Sequence, residues 1–178
     1  MLLNFKKWLD ESNMTGNYVC INAINDYDGF FNEVGIPDPK TGSSPPKGDY
    51  HCTLMYSEMT NEHPDRIMDA LMIDFNKTIT ADIVGFDCFD AEDKSKSCIV
   101  IKLKNESLDH LHDLMKGYGL KHSYSDFQPH ITLKYNMDVE EAHYYKDLLN
   151  TSLETGNVPI PLIDLYGFKS DRINKNYA

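Results

Sequence analysis

Basic residues are scarce: 17 lysines and arginines stand against 28 aspartates and glutamates, a formal net charge of −11. Affinity for long polyphosphate chains scales with the phosphates a protein neutralises, so this deficit argues against a duplex nucleic-acid partner and favours a small ligand. Cysteine is sparse too. Cys20, Cys52, Cys88 and Cys98 show no C-x-x-C spacing and sit in apolar, strand-like runs, which excludes a disulfide framework and reads as reduced core thiols of a cytoplasmic protein. Long apolar runs are missing as well. The opening MLLNFKKWLDESN turns polar at Asn4 and then basic, so it lacks a signal-peptide core and reads as a short amphipathic helix. No later segment is suited to span a bilayer, and no membrane partner is expected.

What is present is a globular composition, 41% hydrophobic and 11% aromatic, in a chain long enough to bury roughly two thirds of its unfolded surface. NYVCINAI (17–24) reads as a first strand. The Pro/Gly/Ser-rich stretch GIPDPKTGSSPPKGDY (35–50) reads as an exposed loop ending on His51, either a connector or a lid. Two passages of similar grammar follow. In the first, YHCTLMY leads into an amphipathic helix over 61–75, with Ile67, Leu71 and Phe75 in its apolar stripe, and then a strand, TITADIVGFDCF, in which Gly85 suggests a bulge. In the second, PHITLKY leads into DVEEAHYYKDLL, where Asp138 and Glu141 have capping-box spacing, and then into VPIPLIDLYGFKS. Between them lie a strand, SCIVIKL, and a helix, ESLDHLHDLMKGYG. The order strand, helix, strand recurs, with 130 − 51 = 79 residues between the two motif histidines, which marks an internal duplication. Residues 1–178 therefore read as one α+β domain: two antiparallel-sheet lobes around a central cleft, helices outside, and the His-x-Thr strands face to face.

Strand alternation gives the repeat its chemistry. Cys52 and Leu54 point one way and His51 and Thr53 the other; Ile131 and Leu133 divide from His130 and Thr132 in the same manner. Two imidazoles and two hydroxyls on facing strands make an acid/base site with a phosphate cradle. An imidazole pKa of about 6.5 lets one ring accept a proton while the other donates one, and hydroxyls can donate to charged nonbridging oxygens. Two His ligands without a third strong donor argue against a metal, and no cofactor is expected. His110 and His112, two apart on a helix, point in nearly opposite directions and read as surface residues; His63, His122 and His143 default to surface or loop positions.

These residues resemble the 2H phosphoesterase superfamily, whose signature is two His-x-Thr/Ser motifs in a duplicated α+β fold. The resemblance runs from about Tyr18 to Phe168 and is carried by His51, Thr53, His130 and Thr132. The acidic balance, the NYVCINAI opening and FQPHITLKY are most similar to the phage anti-CBASS nucleases, which degrade cyclic di- and trinucleotide messengers of bacterial defence. The resemblance implies a host-cytoplasmic enzyme in which one His deprotonates a ribose 2′-hydroxyl, the hydroxyl attacks the adjacent 3′–5′ phosphodiester, and the other His protonates the leaving 5′-oxygen. A 2′,3′-cyclic phosphate forms and is then hydrolysed. A related enzyme of linear 2′,5′-oligoadenylates or of 2′,3′-cyclic phosphate RNA ends, and a binder that sequesters cyclic nucleotides without cutting them, are the alternatives. For base stacking the candidates are Tyr18, Phe89 and Tyr124 or Phe127, and Lys134 alternates onto the His130 face as a phosphate partner. The sequence does not speak to oligomeric state.

Overall fold

A computed structural model describes residues 16–57, 69, 71–72, 75–122, 124, 126–158 and 162–173. Six strands form its frame: β1 (Gly16–Ala23), β2 (His51–Ser57), β3 (Ile79–Asp90), β4 (Ser97–Lys104), β5 (His130–Met137) and β6 (Leu162–Ile173). Among the described residues three helices accompany them: α1 (Phe30–Glu33), α2 (Glu106–Gly117) and α3 (Val139–Glu154). The expected N-terminal helix, and nearly all of that over 61–75, lie outside the described residues. Among the described residues no helix is long and apolar enough to cross a membrane.

Among the described residues all pairings are antiparallel, in the order β1-β2-β5-β4-β3-β6, and the sheet closes into a barrel where β6 pairs with β1. The α+β class holds, and the strand order shows how the duplication is folded. β1, β2 and β3 belong to the first repeat, and β4, β5 and β6 to the second, yet β3 pairs with β4 and β6 with β1. Each repeat lends its last strand to the other. The expected face-to-face arrangement is corrected by this topology: β2 and β5 are neighbours in one sheet, joined at Cys52↔Ile131. Proximity of the two motifs thus comes from backbone pairing, not from the closing of two separate halves.

The core lies on the face opposite the histidines. Leu54, Ile99, Ile101, Ile131 and Leu165 are fully buried there with Leu108, Leu111 and Met115 of α2 and Ala142 and Leu149 of α3. α2 begins at Asn105, whose side chain accepts from the Ser107 amide at 2.7 Å. α3 begins without the expected capping box. The Asp138 carboxylate is held by Lys96 at 2.7 Å, and Glu141 turns instead to the 35–50 loop. α1, four residues long, is too short to show periodicity, although Phe30 and Phe31 are both buried. A bulge occurs at Gly85, as expected: Val84 is the extra residue, Gly85 follows at φ +155°, and Asn150 of α3 clamps the next residue by accepting from the Phe86 amide (2.9 Å) and donating to its carbonyl (3.0 Å). The four cysteines are buried free thiols. Burial pushes Cys52 and Cys88 up to about 12, a thiol state without nucleophilic character.

Candidate active site

β2 alternates as the sequence requires for the first four letters of its motif, with His51 and Thr53 half-buried around a fully buried Cys52 and Leu54 buried; in β5 His130 is half-buried and Thr132 is buried together with Ile131 and Leu133. Residues opposite one another in a sheet share a face. The pairing Cys52↔Ile131 therefore sets His51 across from Thr132 and Thr53 across from His130. The four side chains form a quadrilateral with the imidazoles on one diagonal, separated by about 7–8 Å between neighbouring diagonal positions.

Both rings are oriented by the same device. His51 Nδ1 meets the Asp49 carbonyl at 2.6 Å, and His130 Nδ1 meets the Gln128 carbonyl at 2.6 Å. A carbonyl only accepts, so each Nδ1 carries the proton and each Nε2 presents the group that exchanges one. Burial lowers the pKa of both imidazoles. For His51 the Asp49 carbonyl and carboxylate oppose the shift and Lys169 adds to it; for His130 the Gln128 carbonyl opposes it and His51 adds to it.

The pseudo-twofold symmetry is broken at Tyr18. Its hydroxyl donates to His51 Nε2 and lies 3.1 Å from Thr53 Oγ1, with the rings edge-on at 5.8 Å. At the other motif the aromatic neighbour of His130 is Phe89 of β3, edge-on at 4.8 Å. Tyr18 and Phe89 thus both touch a motif histidine, Tyr18 through its hydroxyl and not as a stacking platform. Tyr124 stands one ring away: it packs on Tyr56 at 5.8 Å and His122 at 5.5 Å, and lines a separate cavity of about 670 Å³ beside α2.

Lys134 is not on the His130 face. After Thr132↔Val100 the register jumps to Lys134↔Ile99, which makes Leu133 a one-residue bulge and puts Lys134 in phase with a core residue. β2 does the same, passing from Thr53↔Cys20 to Met55↔Val19 around Leu54. Each motif is thus six letters long, His-x-Thr-Leu-x-Tyr, and its bulged Leu returns the final Tyr to the histidine face. Tyr135 packs on Cys98 and Val100 and lines the His51 cavity, and Tyr56 pairs with Tyr18. Strict alternation misplaces both; the shared sixth letter was the signal for them. The cations at the site are Lys102, in register with His130 and 3.7 Å from Asp87, and Lys169, 3.8 Å from Asp49. Neither belongs to a motif. The cleft around His51, about 170 Å³, is also walled by Asn22, Pro45 and Pro46. The 35–50 loop is accordingly docked in the wall of the cleft, with Ser43 and Tyr135 exchanging amide-to-carbonyl bonds at 2.9 and 2.8 Å.

His112 corrects its surface reading. Only 5% exposed, it donates from Nδ1 to the carbonyl of Leu54 (2.7 Å), stacks on Phe127 at 4.2 Å and meets His122 edge-on. His110 is exposed, as the two-residue spacing demands, and His143 pairs with Asp90 at 3.0 Å. His63 lies outside the described residues. Among the described residues no cluster of three or more His, Cys, Asp or Glu is arranged to hold a metal ion.

A profile of the family described as "Anti-CBASS protein Acb1" matches residues 38–157, a span that contains both motif strands. The chain belongs to the Acb1 family. A curated relative, Anti-CBASS protein Acb1 of Vibrio phage KVP40, is 29% identical over 87 residues, 49% of this chain and 51% of the relative. The match thus spans about half the length of that relative. Among solved structures, Kluyveromyces marxianus Usb1 aligns over 90% of this chain and 95% of its own at 11% identity and a TM-score of 0.55, and the same protein with uridine monophosphate gives 0.56. At such identity the likeness is one of fold, and this Acb1-family chain shares the α+β fold of Usb1.

Proposed function

We propose that this protein is a phosphodiesterase that opens 3′,5′-linked cyclic di- or trinucleotides by 2′-hydroxyl attack, and that it acts against CBASS defence in the cytoplasm of an infected cell. The observation that carries the reading is the tautomer lock on both rings: two Nε2 atoms, from adjacent strands, are left for one phosphodiester. His51 is the base. The Tyr18 hydroxyl donates to its Nε2 and so favours the neutral ring that a base requires. When the substrate 2′-hydroxyl takes that acceptor, the Tyr18 hydroxyl is released toward a nonbridging oxygen. His130 is the acid, giving its proton to the 5′-oxygen as that bond breaks. Thr53 and Thr132 donate to the nonbridging oxygens, and Lys102 and Lys169 supply the positive charge that an acidic protein needs at an anionic ligand. Both proton transfers are completed by side chains. Membership of the Acb1 family supports a cyclic substrate over the linear alternatives.

The test is incubation with cyclic di- and trinucleotides, 2′,5′-oligoadenylate and a 2′,3′-cyclic phosphate RNA end, in EDTA, with chromatography of the products. Linearisation of the cyclic substrates alone is expected. Turnover confined to the linear substrates would replace the reading with the RNA-end one, and uncut cyclic ligand eluting with the protein would make it a sequestering protein.

A further inference from the structure

The loop that walls the His51 cleft is anchored on α3, the helix that follows β5. Glu141, in the first turn of α3, accepts the Lys40 amide at Oε1 (2.8 Å) and the Thr41 amide at Oε2 (3.0 Å), and the Thr41 hydroxyl also donates to Oε2. The same hydroxyl oxygen accepts from the Asp138 amide at 3.0 Å, so Thr41 joins the loop to the unfilled N-terminus of α3. Three donors converge on two oxygens, a demand that an acceptor-only carboxylate meets and an amide does not. From this anchor to His51 the chain has little freedom. Gly42, at φ +83°, presses so close to β5 that a Cβ would lie 2.5 Å from Met137 Cγ and 2.6 Å from the Tyr135 carbonyl oxygen. Ser43 is bridged to Tyr135, Pro45 and Pro46 fix two φ angles, and the Gly48 amide donates to the Asp26 carboxylate at 2.6 Å. The next residue, Asp49, supplies the carbonyl that holds His51 Nδ1.

We infer that Glu141 is a positioning residue for His51: through Thr41 and the docked loop it holds the Asp49 carbonyl where it fixes the imidazole's tautomer and direction. A residue of the second repeat thereby sets the histidine of the first. His130 takes its own carbonyl from Gln128, on a different loop. As a statement about turnover the inference rests on the function proposed above; as a statement about the His51 ring it does not.

The experiment is long-range ¹H–¹⁵N correlation of the histidine rings in the full chain, for wild type, Glu141→Gln and Glu140→Gln, alongside steady-state cleavage of a cyclic dinucleotide. Glu140 is exposed on the same turn and makes the charge change a control. Glu141→Gln should convert His51 from the single Nδ1–H tautomer to a mixture while His130 keeps its pattern, with kcat lowered about 10-fold or more and KM little changed, the scale of a misplaced group. If Glu141→Gln does not fold, Thr41→Val, which removes one donor and the acceptor for Asp138, should give the same selective change in His51. A His51 pattern identical to wild type, or one that changes together with His130, overturns the inference. Absence of turnover in wild type counts against the phosphodiesterase reading and leaves the ring measurement to decide this one.

Discussion

His51 and His130 are built alike and surrounded differently, and the difference is measurable. Replacement of either by alanine should lower kcat/KM by at least about 10²-fold, the usual scale for a general acid or base, with circular dichroism unchanged; a rate within a few-fold of wild type for either variant removes that ring from the chemistry. Tyr18→Phe deletes the donor to His51 Nε2, and a loss of about 3- to 30-fold is expected if the hydroxyl passes to the phosphate in the transition state. Burial lowers both motif imidazoles below their ordinary 6.5. The form with one ring neutral and one protonated is most populated between the two pKa values, so kcat/KM should peak on the acid side of pH 6.5. A bell centred above pH 7.5 in the free enzyme contradicts the assignment.

At the scale of elements, the duplication and the first four letters of each motif were legible because short strands alternate and the repeat is written in the chain. The two tyrosines recur in the chain as the sixth letter, but their face does not follow from alternation. A one-residue bulge at Leu54 and Leu133 shifts the phase of everything after it, and nothing in the residues themselves announces a bulge. Lys134 was misplaced for the same reason. Spacing of i, i+3 makes Glu141 half of a capping box because it sees only its own helix, and the loop that takes the carboxylate arrives from 100 residues earlier. Gly42 marks that docking most sharply: Gly42→Ala combines a positive φ with two contacts no Cβ tolerates. It should cost on the order of 1–3 kcal/mol, read as a lowered denaturation midpoint and faster proteolysis within 35–50. An unchanged midpoint means the loop is not docked in solution.

For the whole molecule, the exchange of β3 and β6 makes one closed sheet from both repeats, and β2 meets β5 only in that complete sheet. That pairing is non-local and was invisible to periodicity, which is why the motifs were placed face to face and not side by side. Four imidazoles, His51, His112, His122 and His130, are all lowered by burial, His122 to about 4 with His112 adding to the shift. A folded-state pKa below the unfolded one favours the neutral ring, so this stability is complete above pH 6.5 and is lost as the pH falls toward 4. The melting temperature should decline over that window, less steeply in a His122→Phe variant; a decline of equal slope would place the acid sensitivity elsewhere.

The central claim is that both imidazoles act on one phosphodiester that is attacked from within by its own ribose. The most direct measurement compares a cyclic dinucleotide with its 2′-deoxy analogue, with mass spectrometry of the products. The account predicts a 2′,3′-cyclic phosphate, then a 3′-phosphate, from the ribose substrate and an intact ring from the deoxy one. Cleavage of both at comparable rates would contradict it.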